Sequence, residues 1–122
     1  MPAYNFQPNI ALRVVDGSKI HTVRPRRKRP TKVGDVLYLY LGMRTKHCQL
    51  LRRVECVDIK TIVIDPDTWA VVIDGKRLSW LEVVSFAQHD GFSTQTEFFD
   101  FFRRYPAEVL DNNLEVIYWR NP

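Results

Sequence analysis

Three side chains able to do chemistry fall within six residues: Lys19, Thr22 and Arg24. A threonine hydroxyl is a poor nucleophile until a base takes its proton, and a neutral lysine amine can be that base. Burial or cationic neighbours bring a lysine toward its neutral form. Arg24 and the run that follows it, Arg26, Arg27, Lys28, Arg29 and Lys32, supply such neighbours. The same run suits a polyanion, and RNA, another nucleic acid or a nucleotide is the natural partner for it. On a regular strand Lys19 and Thr22 have opposite parity and face opposite ways. They converge only if Lys19 belongs to a turn after Gly17-Ser18.

The charge is unevenly shared. Residues 1–60 hold thirteen Lys/Arg against four Asp/Glu, a net of +9, and residues 61–122 hold five against ten, a net of −5. One cationic face is expected rather than a uniformly basic surface. The 122 residues suit a single domain over 1–122, with the composition of an ordinary globular protein. The N-terminal stretch lacks the pattern of a signal peptide, and the longest apolar run, Val36–Leu41, is far too short to span a bilayer. A cytoplasmic protein with no membrane partner is expected, a monomer being favoured. Cys48 and Cys56 fall on one predicted strand, too far apart along it for a disulfide, so both are expected reduced and at least half-buried. His21, His47 and His89 show no metal-ligand spacing with them, and no metal or other cofactor is expected.

The elements that must position these groups are legible in outline. Tyr4-Asn5-Phe6 reads as a strand. Pro8 starts a helix whose apolar side is Ala11, Leu12, Val14 and Val15, and Gly17 ends it. Ile20–Pro25 is extended and 26–33 is a basic loop. Val36–Leu41 is a strand, and Lys46–Ile59 a long one with a bulge or bend. Thr61–Ile64 and Trp69–Ile73 flank a turn, and Asp74-Gly75 marks another. Ser79 and Glu82 form a capping box for a helix reaching His89; Thr94 and Glu97 repeat the device for a helix that Pro106 ends. Leu114–Trp119 closes the chain as a strand. The phenylalanines at 98, 99, 101 and 102, and Trp69, Trp80 and Trp119, read as core or barrel rim. The sum is an α+β domain, most simply a small partly open β-barrel with flanking helices.

Lys-x-x-Thr-x-Arg at 19–24, a basic linker, Gly34-Asp35 before a Leu-Tyr-Leu-Tyr strand, Gly42, Arg44, and Phe-Ala-x-x-Asp-Gly-Phe at 86–92 together resemble the ASCH family of the PUA-like superfamily. The resemblance implies a PUA-like barrel and nucleic-acid contact in a cleft beside it, through Lys19, Thr22, Arg24 and Arg44, with Arg26 to Lys32 on the backbone. Some members are amidohydrolases that deacetylate acetylcytidine with a Lys, a Thr and an acid. That chemistry carries over as Lys19 for the base, Thr22 for the nucleophile and Asp90 for the acid, where those relatives have Glu. Read without the family, Asp90 before Gly91 equally suits the end of a helix.

Overall fold

A computed structural model of the chain describes residues 2–120. In chain order the elements are β1 (Ala3–Phe6), α1 (Pro8–Asp16), β2 (His21–Pro25), β3 (Val36–Leu41), β4 (Gln49–Ile64) and β5 (Val71–Ile73). Then come β6 (Lys76–Arg77), α2 (Trp80–His89), α3 (Gln95–Phe102), α4 (Ala107–Asn112) and β7 (Leu114–Arg120).

β4 organises the sheet because its sixteen residues serve three partners in turn. Its first half pairs antiparallel with β3, Val36 lying opposite Glu55. Its middle pairs with β7 and its end with β5. Register shifts between Leu39 and Tyr40 and between Cys56 and Asp58 mark two irregularities. Such bulges bend a strand and tighten its twist, so the sheet curls. β1 lies parallel to β3, and β2 pairs with β7 alone, His21 opposite Tyr118.

The path β2-β7-β4-β3-β1 therefore ends in two edges that no strand ladder joins among the described residues. This is the partly open barrel expected from the sequence, and its open seam lies between β1 and β2. Unpaired edge carbonyls invite unwanted strand pairing. Here two arginines cover them: Arg24 Nη2 donates to Asn5 O at 2.5 Å, and Arg27 donates to Ala3 O.

The core fills the curl. Leu37, Leu39, Ile62, Ile64, Ile117 and Trp119 come from the sheet, and Val14, Phe98, Phe102 and Leu110 from the helices. Burying each such large side chain stabilises the fold by roughly 1.5–3 kcal/mol. Ser79 caps α2 with the reciprocal capping box that its spacing predicts. Thr94 caps α3, but the Glu97 carboxylate accepts from Ser93 N rather than from Thr94.

Five expectations need correction. The buried face of α1 is Ile10, Ala11 and Val14, while Leu12 and Val15 are exposed. Ile10 and Val14 stand one turn apart with Ala11 between them, and that stripe is the one turned to the sheet. β4 runs unbroken through Ile59–Thr61, because no Gly or Pro interrupts it and β7 continues to pair with it. Cys48 is exposed, since Gly42 and Thr45 hold the preceding residues in a turn; it and Cys56 are free. Pro106 does not end α3, which stops at Phe102; it caps a separate helix, α4. Trp80 is 64% exposed on the first turn of α2, whereas Trp119 is core.

Candidate ligand cleft at the barrel seam

A cavity of about 210 Å³ opens at the seam. β1 lends Asn5 and Phe6, β2 lends Thr22 and Arg24, and the end of α3 lends Phe101, with Arg104 and Tyr105 just beyond it. Lys19 and Asp90 form part of its wall.

Lys19 reaches the cleft because the chain turns before β2 begins. Gly17 adopts φ 85°, which ends α1 in the left-handed region that glycine enters without strain. Ser18 N then donates to Asp16 Oδ1 at 2.8 Å, and Lys19 N to Arg13 O at 3.0 Å. Lys19 thus lies outside the strand alternation, and it lines the same cavity as Thr22. The parity obstacle is removed by the turn that the Gly17-Ser18 signal suggests.

Lys19 is only 2% exposed, and its Nζ donates to Asp90 Oδ1 at 2.7 Å and to Asp90 O at 2.6 Å. Asp90 is the C-cap of α2, its own N–H donating to Phe86 O at 2.9 Å. It thus ends a helix and is at once the buried counter-ion of Lys19. A helix C-terminus also carries partial negative charge, which adds to the attraction for an ammonium. Burial draws Lys19 below its ordinary lysine value; Asp90 opposes this and Arg24 adds to it. Burial alone would raise Asp90, but Lys19 and His21 together outweigh it and hold the carboxyl below its ordinary value.

His21 is a site neighbour that the sequence reading weighed only as a metal ligand. Its Nδ1 lies 3.2 Å from Asp90 Oδ1, and its ring stacks on Phe86 at 4.7 Å. Its position two residues after Lys19 is the signal that could have drawn it in. Arg104 was also missed; its guanidinium lies 3.9 Å from the Phe101 ring centroid and its Nε donates to Phe101 O at 3.0 Å. Thr22 is buried, and its Oγ1 accepts from Arg24 Nε at 3.0 Å. The hydroxyl proton is therefore left for a ligand or a base.

The basic loop is tethered to the cleft through one ring. Arg24 and Arg27 lie over Tyr4 at 5.5 and 4.2 Å, and the Tyr4 hydroxyl shares a 2.6 Å hydrogen bond with buried Thr31. Between these anchors Lys28 and Arg29 are exposed, and Lys32 follows, also exposed. Arg26 faces Glu115 at 3.5 Å. Arg44 does not join the cleft: it is exposed in the β3–β4 turn with φ 65°. No group of three metal-ligating side chains occurs among the described residues.

This architecture is a small α+β fold like that of a solved ASCH protein. The crystal structure of ASCH from Zymomonas mobilis superposes on it with a TM-score of 0.57, covering 98% of this chain at 15% sequence identity. The chain spans 66% of that protein's length. No family model matches the sequence, and no curated protein does. Among the described residues no helix is long and apolar enough to cross a membrane.

Proposed function

We propose that this domain binds nucleic acid, RNA or a single nucleotide, with one unit in the seam cleft and the adjoining backbone along the 26–32 loop. The observation that carries the reading is the tether through Tyr4. A cleft lined by Lys19, Arg24, Arg104 and aromatic faces is joined by that ring to a run of exposed cations. Aromatic faces stack bases, and cations hold phosphates. Lys19, Thr22 and Arg24 are the cleft contacts in this reading. Arg26, Arg27, Lys28, Arg29 and Lys32 are the backbone contacts, and Arg44 is a peripheral one. The setting is the cytoplasm, and the binding form is a monomer.

Titration of a labelled single-stranded RNA at several salt concentrations tests this. Affinity should fall steeply with salt, and Lys28→Glu with Arg29→Glu should weaken binding. Removing one phosphate-binding cation flattens the log–log salt slope by about 0.7. Binding that ignores salt, or a loop variant that binds like wild type, refutes it.

A second reading has its own observation: Lys19, Thr22 and Asp90 line one cavity, and burial favours the neutral amine of Lys19. An amidohydrolase would use Lys19 to take the Thr22 proton and pass it to the leaving nitrogen, Thr22 to attack the acyl carbon, Asp90 to hold the amine, and a water to release the acyl group from Thr22 as the free acid. Release of cytidine from acetylcytidine, abolished in Thr22→Ala with the fold retained, would establish it. No release from a panel of acylated nucleosides would remove it.

A further inference from the structure

Lys19 has its counter-ion in Asp90, but the other two cations of the cleft have none. Among the described residues neither Arg24 nor Arg104 forms an ion pair with a carboxylate, although the adjacent Arg103 pairs with Asp100 at 3.2 Å. Arg24 gives Nε and Nη2 to neutral oxygens, those of Thr22 and Asn5. Arg104 gives Nε to a carbonyl and lies on the Phe101 face. These bonds orient both guanidiniums without neutralising either. Arg24 is half-buried, and an unpaired charge drawn out of water is costly, so the cleft that holds it suits an incoming anion, with the exposed Arg104 lining the same cavity. Burial also pulls Arg24 below its ordinary value, and Tyr105 and Asp90 offset only part of this.

The cavity, at about 210 Å³, is smaller than the ~300–1,000 Å³ typical of drug-sized ligands. It has room for one base or one sugar phosphate. Planar guanidiniums match phosphate oxygens in forked geometry.

We infer that the cleft seats a phosphate ester between Arg24 and Arg104, so that its ligand is a phosphorylated nucleotide unit and not a free nucleoside. The inference rests on the nucleic-acid reading and adds the chemical group that the site selects. Arg104 is the informative position because it is exposed, and its replacement leaves the core intact.

The test is calorimetric titration of the intact chain with the four common ribonucleosides, their 5′- and 3′-monophosphates, and a trinucleotide. At least one phosphorylated ligand should bind ten-fold or more tighter than its nucleoside. Arg104→Gln should cut that ratio at least three-fold, and Arg104→Lys should restore part of it. A trinucleotide tighter than any monophosphate assigns the seat to an internal unit of a strand; the reverse order assigns it to a free nucleotide. Equal affinity for nucleosides and their phosphates overturns the inference and leaves the nucleic-acid reading standing. A ratio that Arg104→Gln does not move overturns the two-arginine seat. Absence of binding by every ligand and by single-stranded RNA overturns both.

Discussion

Replacing Asp90 by Asn would leave the Lys19 ammonium buried with no anion. The side chain keeps its size, so the change is almost purely one of charge. Removing one partner of a buried ion pair destabilises by about 3–5 kcal/mol, against a total stability of about 5–15 kcal/mol for a small domain. For a chain of this length that is a fall in Tm of roughly 10–20 °C. Asp90 is held below its ordinary value, so its contribution is fully present above the unfolded value near 3.9 and disappears as pH falls through the lower folded value. Lys19 is also held below its ordinary value, so the folded chain releases that proton before the unfolded chain does, and stability rises with pH across that interval. The interval widens in Asp90→Asn, because the neighbour that favoured the ammonium is gone. Urea unfolding followed by circular dichroism between pH 5 and 10 should show the variant's deficit narrowing toward alkaline pH. Adding Lys19→Met should recover most of the stability, since an apolar pair can replace a buried ionic one at little cost. A deficit under about 1 kcal/mol at pH 7, or one that stays constant up to pH 10, would refute the account of the pair.

Gly91→Ala should destabilise by about 1–3 kcal/mol, because Gly91 sits at φ +107° and an added Cβ would lie 3.2 Å from Ile10 Cγ2; a thermal melt unchanged from wild type contradicts this. Thr31→Val removes the 2.6 Å bond to Tyr4 and should speed tryptic cutting within 26–32 several-fold, read by mass spectrometry of the fragments. Ser79→Ala removes the side chain at the centre of the capping box and should cost about 1 kcal/mol in urea, with no change in RNA affinity.

The local devices were readable because each depends on neighbours in sequence. Gly17 as a stop, Ser79 with Glu82, and Asp74-Gly75 all act within four residues, and all stand where expected. The buried face of α1 was not readable, because Ile10, Leu12 and Val15 are equally apolar and only the position of the sheet decides between them. The site divides in the same way. Lys19, Thr22 and Arg24 announce themselves through residue type and spacing. Arg104 joins them only because α3 ends over the seam, and His21 only because Asp90 arrives from a distant helix. The gap between β1 and β2, which makes the cleft, is a property of the whole sheet path and belongs to no segment.

That path also imposes an order of assembly. β2 carries Thr22 and Arg24, yet its one sheet partner is β7, at the other end of the described chain. Lys19 likewise waits for Asp90, 71 residues further on. Pairings so distant in sequence close late and make folding slow. While the chain is being made, the cationic first half emerges well before the acidic second half that completes the cleft. A nascent chain therefore displays its exposed cations before the cleft beside them exists.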